Sequence, residues 1–234
     1  LALLFDAVIG DPRAVYARVP HPAMMFGWAI EFLDKVFNRP ELAGIFRKFL
    51  GTVVIMALLI LSWLIGLWLT ALVLGFPFGW IALALIMSVL LAQKSLYQHV
   101  AAVASGLALS GLAGGRRAVA HIVGRDTDRM DETGVCRSAI ESLAENLSDG
   151  VVAPVFWGAL FGLPGLLAYK MLNTADSMIG HRTDVHRDFG WAAARFDDIA
   201  NFIPARLTSL LIIVGALPVS TGAIGRSMRA VLRD

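Results

Sequence analysis

From Phe49 to Gln93 the chain runs without a single charged side chain, and that stretch limits what it can fold into. A helix needs about 20 predominantly apolar residues to cross the hydrocarbon core of a bilayer, so the run predicts two crossings. GFPFG at 75–79, with two glycines and a proline, marks where the first helix stops and the next begins. Composition agrees: 57% of residues are hydrophobic, 16% are charged and mean hydropathy is +0.70, more apolar than a soluble globular domain. The expected fold is all-α: a polytopic integral membrane protein with broken or re-entrant helices and with polar segments on the cytosolic side.

The formal net charge of +2 is small and dispersed, with no basic stripe interleaved with aromatics, so nucleic acid is not an expected partner. The single cysteine, Cys136, rules out an intrachain disulfide and a multi-cysteine metal site. The five histidines show no HExxH-type spacing and do not suggest zinc. Residues 1–234 read as one membrane-embedded domain. LALLFDAVIG reads as the end of a helix whose start lies outside the chain, and RSMRAVLRD lacks a closing element, so a longer protein is expected at both ends.

Arg39, Arg47 and Lys48 precede the uncharged run and Lys94 follows it, while the turn at 75–79 is uncharged. The positive-inside rule places both basic ends in the cytosol of a multi-pass cell-membrane protein. GDPRAVYARVPHP reads as loop and MMFGWAIEFLDKVF as an interfacial or cytosolic helix. Residues 95–113 are helical and rich in small residues, suited to close packing, and 114–134 is the most charged part of the chain. VCRSAIESLAENLSDG reads as a helix ended by Gly150. Residues 151–169 are uncharged but interrupted by Pro154, Gly158, Gly162, Pro164 and Gly165, which predicts a broken or re-entrant element. A last span is expected over 207–224, its direction left open by arginines on both sides. No internal repeat, low-complexity tract or long linker stands out.

Three segments concentrate carboxylates, amides and basic groups. Glu141, Glu145 and Asp149 are spaced i, i+4, i+8 and stack on one helix face; such like charges repel. Either arginines or a metal compensate them, or the face is simply solvated. Asn146 adds a neutral oxygen of the kind hard cations accept. In YKMLNTADSMIG, Asn173 and Asp176 share a face, Ser177 adjoins and Lys170 lies three residues before Asn173. In RFDDIANFIPAR, Asp197 and Asn201 are i, i+4, Asp198 flanks them, and Arg195 and Arg206 stand at the ends. With Arg125, Asp126 and Asp128 of GRDTD, the recurring pairing of acid and base suits a metal–polyphosphate site. No GxxxxGK[ST] sequence occurs, so any nucleotide site is of another type.

The ordered set D6xxxGDP, HP at 21–22, GRDT at 124–127, ESLAEN at 141–146 with SDGVVAPVFW, YKxxNTxDSMIG at 169–180 and FGWAAARFDDIANFIPARLT at 189–208 resembles the CobD/CbiB family of cobalamin biosynthesis. The resemblance covers nearly the whole chain. It implies an integral-membrane adenosylcobinamide-phosphate synthase, which joins a carboxylate of adenosylcobyric acid to the amine of aminopropanol or its phosphate, with ATP and Mg²⁺. On that reading Glu141, Glu145, Asp176, Asp197 and Asp198 are the expected catalytic residues, with Glu141, Glu145 and Asp176 holding metal. Arg125, Asn146, Lys170, Asn173, Ser177, Arg195, Asn201 and Arg206 are expected to bind substrates, the arginines through phosphate. The chain departs from the family at Ala175 and His181, where leucine and tyrosine are usual, and family members continue past this point with a segment expected to complete the site.

Two other readings compete. An ion-coupled transporter also places ionisable residues near broken helices, and an AmpE-like membrane sensor would share the family's architecture without its catalysis. The lipid bilayer is a partner on every reading, and self-association is left open.

Overall fold

The computed structural model describes residues 1–10, 16, 18–124 and 126–216. Asp11 and Pro12 of the GDP motif, Arg125, and the end of the expected last span fall outside the described residues. Those residues contain helices and no strand. The helices are α1 (Ala2–Val8), α2 (Pro22–Phe37), α3 (Gly44–Leu74), α4 (Gly79–Ser88), α5 (Gln93–Val119), α6 (Glu132–Leu147), a π-helical turn (Ser148–Val152), α7 (Ala153–Ile179) and α8 (Trp191–Ala216). Among the described residues, four helical stretches are long and apolar enough to cross a membrane: 44–74, 79–119, 132–179 and 191–216.

α3 is the one long uninterrupted helix of the uncharged run. Its 31 residues extend about 46 Å at ~1.5 Å per residue. The second expected crossing takes a different form, because α4 stops after 10 residues, about 15 Å, roughly half the hydrocarbon thickness. A helix end at that depth leaves backbone groups that must be satisfied within the protein. Buried Asp6 of α1 accepts from the amides of Gln93 (2.7 Å) and Lys94 (3.3 Å), and Ala92 N–H donates to the Gly150 carbonyl at 3.0 Å. Lys94 Nζ returns to the carbonyls of Val8 (2.6 Å) and Ile9 (3.1 Å). The break between α4 and α5 is thus closed by α1, which gives Asp6 of the D6xxxGDP motif a structural duty.

Both α5 and α7 reverse direction. Gly111 (φ 59°, ψ −156°) and Gly162 (φ 66°, ψ −152°) share a backbone conformation that is essentially restricted to glycine. Eight residues of straight helix span about 12 Å, yet a Cβ on Gly106 would lie 2.7 Å from the Gly114 carbonyl oxygen, and one on Gly165 would lie 2.6 Å from that of Trp157. Each helix is therefore a hairpin of two arms, 93–110 with 112–119 and 153–161 with 163–179. The expectation of a broken or re-entrant element over 151–169 holds. The second hairpin, in the 95–113 segment, did not stand out. Both turns fall on the tetrapeptide Gly-Leu-x-Gly, GLAG at 111–114 and GLPG at 162–165. This is a short local repeat where none was expected.

The inner arm of α7, residues 163–179, packs along α3. Lipid tails are as apolar as leucine, so close approach and dispersion hold such helices together. A Cβ at Gly66 would stand 2.5 Å from Pro164 Cα, and one at Gly51 would run into the Phe189 carbonyl. Between these contacts Ile30 of α2, Ile55 and Leu58 of α3, Leu172 and Ala175 of α7, and Phe189 form the central core. α8 closes the other side of the arm through Ala192 and Ala193. It begins at Trp191, so RFDDIANFIPAR forms the early turns of the last helix, ahead of the expected start at 207.

Candidate functional site

The reversal at Gly162 brings the 149 region of the chain back beside the 170s. The π-helical turn carries α6 directly into the outer arm of α7, so Gly150 lies inside continuous helix and does not end it as expected. A π-turn inserts an extra residue, shifts the helical phase and is frequent at functional sites. Asp149, within that turn, is half-buried, whereas Glu141 and Glu145 on the preceding turns are exposed.

Opposite Asp149 stands the inner arm. Asn173 Nδ2 donates to Asp149 Oδ2 at 3.3 Å, and Lys170, half-buried, lies within electrostatic reach of both Asp149 and Asp197. Tyr169, Asn173 and Asp176 are spaced i, i+4, i+7 and so occupy one helix face. From the third side α8 contributes Asn201, which accepts from the Tyr169 hydroxyl at 2.9 Å and donates to Asp197 Oδ2 at 2.8 Å. Trp157 on the outer arm donates its indole N–H to the Ala200 carbonyl at 3.2 Å, tying the hairpin to α8 one residue away.

Asp197 is the most enclosed of the carboxylates here, 8% exposed. It lies within reach of Asp176, Asp149 and Asp198, and its Oδ1 is buried with no hydrogen-bond partner. A buried carboxylate oxygen without a partner is costly. Its natural complement is a cation or a hydrogen-bond donor, and a cluster of several carboxylates around one lysine favours either.

The other expected site residues are distributed as follows. Asp198 is exposed and pairs with Arg195 at 2.8 Å, an i, i+3 contact on the surface of α8. Arg206 donates to the Phe202 carbonyl at 2.6 Å and stacks over that ring, 3.7 Å from its centroid, so this guanidinium is engaged on its own helix. Ser177 is exposed and donates to the Asn173 carbonyl at 2.9 Å. Asn146 donates to the Ser142 carbonyl at 2.8 Å and lines a separate cavity with His99 and His121. Arg125 lies outside the described residues. Glu145 is within reach of Asp149, and Asp176 of His181 and Asp198. The carboxylates Glu141, Glu145 and Asp176 are thus not drawn into one cluster. Among the described residues no group of three or more His, Cys, Asp or Glu side chains stands at metal-holding spacing.

Two members of the network were not among the expected site residues. Asp149 was visible as the last of the acidic face, and Tyr169 as the first residue of the i, i+4, i+7 series; that series is the signal that was available.

A helical membrane protein with two re-entrant hairpins, whose carboxylates, amides and lysine meet between one hairpin and the last helix, is defined as a class by these features. The chain belongs to the CobD/CbiB family: the model of the CobD/Cbib protein family matches residues 1–234. It is 58% identical over 219 residues to the cobalamin biosynthesis protein CobD of a Sinorhizobium species, covering 93% of this chain and 68% of the relative. The protein of the same name from Rhizobium meliloti strain 1021 is 55% identical over 92% of this chain and 66% of its own length. That of Rhodobacter capsulatus is 46% identical over 90% and 66%. The chain therefore spans about two thirds of the length of the curated relatives it matches. No solved structure matches.

Proposed function

We propose that this protein acts in cobalamin biosynthesis as an ATP-dependent amide-forming enzyme, joining the amine of aminopropanol or its phosphate to a carboxylate of adenosylcobyric acid. The observation that carries the reading is the enclosed Asp197, with an unpartnered Oδ1 amid Asp149, Asp176 and Lys170, in a chain of this family. A carboxylate acylates an amine only after one of its oxygens becomes a leaving group. Transfer of the terminal phosphoryl group of ATP gives an acyl phosphate and ADP, and attack by the amine forms the C–N bond and releases phosphate.

An amine is a nucleophile only when neutral, so a base must take a proton from the ammonium form. Asp197 Oδ1 is the acceptor in this proposal, with Asn201 fixing the carboxylate by its bond to Oδ2 and Tyr169 fixing Asn201. A positioned general base contributes about 10²–10⁴ in rate. Lys170 balances the carboxylates and offers N–H donors to an anionic oxygen of the corrinoid carboxyl. Magnesium suits carboxylate oxygens; Asp176 would hold it, and it would offset phosphate charge. The site faces the cytosol, on the side of Arg47 and Lys48, in accord with the positive-inside rule.

The test is an amide-ligation assay in nanodiscs with adenosylcobyric acid, aminopropanol phosphate and Mg·ATP, following corrinoid product and phosphate release together. One-to-one formation supports the proposal. Product from neither this chain nor a version carrying the rest of its natural sequence, with both folded, would sink it. Two hairpins turned on the same tetrapeptide are also what a carrier built on broken helices would show. Corrinoid accumulation in sealed vesicles without nucleotide turnover would favour that reading.

A further inference from the structure

The chemistry proposed above requires a place for phosphoryl groups, and the described arginines next to the carboxylate cluster are engaged elsewhere: Arg195 with Asp198 and Arg206 with Phe202. A different set of basic groups converges around the loop that joins α5 to α6. One cavity there, of about 430 Å³, is lined by Ser95, His99, His121, Ser142 and Asn146. A second, of about 470 Å³, is lined by Arg116, Arg117, His121, Thr127 and Asp128. His121 stands between the two cavities, and the second forms a basic groove beside the loop.

The groove has braced walls. Arg116 Nε donates to the Met130 carbonyl at 2.6 Å. Ser142 Oγ donates to the Ile122 carbonyl at 2.9 Å and accepts from Asn146 Nδ2 at 3.1 Å. The backbone follows from the first hairpin: the reversal at Gly111 lays the short arm carrying Arg116 and Arg117 against α6, through buried Val119, Val135 and Ala139. There two guanidiniums and the His121 imidazole meet one lining carboxylate, Asp128, which gives the groove a sign opposite to that of the carboxylate cluster. Guanidinium forks match phosphoryl oxygens in geometry and charge, and the Thr127 hydroxyl lines the same groove. Asn146 precedes Asp149 by three residues on one continuous helix, so the cavity that it lines with His121 lies about one helical turn from the carboxylate cluster.

We infer that this groove is a phosphoryl-binding subsite, in which Arg116, Arg117 and His121 hold a phosphate group carried by a nucleoside triphosphate or by a phosphorylated amino alcohol. The inference rests on reading the neighbouring carboxylate cluster as the site of amide ligation. It names residues for a duty that had been expected of Arg125, Arg195 and Arg206.

The test is titration calorimetry on the full chain in nanodiscs with ATP, with aminopropanol phosphate and with inorganic phosphate as separate probes. The variants are Arg117→Glu, His121→Ala and the control Arg206→Glu. Arg117→Glu and His121→Ala are each expected to weaken a phosphoryl probe by about tenfold or more, the loss of a charge-assisted contact, while Arg206→Glu changes it by less than about twofold. Arg117→Gln replaces the charge reversal if that variant does not fold. Loss confined to ATP assigns the groove to the nucleotide, and loss confined to aminopropanol phosphate assigns it to the amine donor; either supports the inference. Wild-type binding of all three probes by both folded variants overturns it, as does absence of binding by the wild type. Ligation measured alongside separates the two readings. Normal ligation and KM values in both groove variants remove the groove and leave the ligase; Arg117-dependent binding without ligation by the extended wild type removes the ligase and leaves the groove.

Discussion

The Tyr169 hydroxyl donates to Asn201 Oδ1 at 2.9 Å, and Asn201 passes the constraint on to Asp197 through its amide nitrogen. One bond thus couples the inner arm of the hairpin to the orientation of the enclosed carboxylate on α8. Tyr169 is buried, 3% exposed, so removing its hydroxyl leaves Asn201 short of a donor without opening the site to bulk water. Tyr169→Phe is expected to lower kcat by about tenfold with little change in KM. The stability loss should be about 1 kcal/mol, the net worth of one such bond. Steady-state ligation kinetics and a thermal melt in detergent check both numbers.

Asp197→Asn keeps the shape of the side chain and an oxygen for Asn201 while removing the charge. Ligation should fall by about 10²-fold or more, as loss of a positioned base predicts. Melting temperature should hold or rise, because a neutral amide costs less to bury beside other carboxylates than an anion does. Activity within about threefold of wild type would take Asp197 out of the role of base.

The hairpin turns can be tested on the backbone alone. A Cβ at Gly111 meets nothing within 4 Å, and one at Gly162 meets only Pro164 Cδ at 3.7 Å, so Gly→Ala at either position isolates the conformational cost. Each should lose about 1–3 kcal/mol. Gly162→Ala should also lower kcat of ligation, since that turn sets Asp149 against Asn173, whereas Gly111→Ala should act on phosphate binding by the arm that carries Arg116 and Arg117. Thermal melts and activity of the pair, measured side by side, decide this.

Gly66→Ala acts by a different route. Its new Cβ would fall 2.5 Å from Pro164 Cα, and backbone on both sides leaves nothing flexible to yield. The arm must shift away from α3, so the yield of monodisperse protein in detergent should fall severalfold, an overpacking defect of about 1–3 kcal/mol or more. Leu67→Ala, one residue along on an exposed face of α3, is the control and should leave the yield unchanged.

Asp6→Asn weakens acceptance at the amides of Gln93 and Lys94 while nearly preserving volume. A charged cap at a helix N-terminus, partly buried, contributes about 1–2 kcal/mol. Hydrogen exchange should therefore show faster opening at 92–96, with the central core around Phe189 unchanged. Equal protection in both proteins would mean that the break between α4 and α5 is held by its other contacts alone.

Several features of the site were legible because they depend only on helical spacing. The shared faces of Asn173 with Asp176 and of Asp197 with Asn201 follow from a period of 3.6 residues, and the structure keeps both on helices. The same rule put Glu141, Glu145 and Asp149 together, yet only Asp149 is enclosed, because burial depends on what packs against a face. GLPG at 162–165 announced a break, whereas GLAG at 111–114 went unnoticed inside a segment that otherwise reads as good helix. In both cases, whether a glycine kinks or reverses a helix is decided by torsions that glycine alone can adopt.

The amino-acid sequence by itself determined the solvent of this protein and the family to which it belongs. An uncharged run of that length is stable only in lipid, and motifs of such length and order identify CobD/CbiB relatives. It also set which side chains share a helix face, since that is a local property of the backbone. Only the tertiary structure decided which faces meet. Asn173 reaches Asp149 across 24 residues and Tyr169 reaches Asn201 across 32, while Arg206 turns back onto Phe202. These partnerships follow from the reversal at Gly162 and from the close approach of the inner arm to α3 at Gly66 and Pro164. Neither is encoded in local spacing, because side-chain convergence in a bundle depends on how far one backbone can approach another.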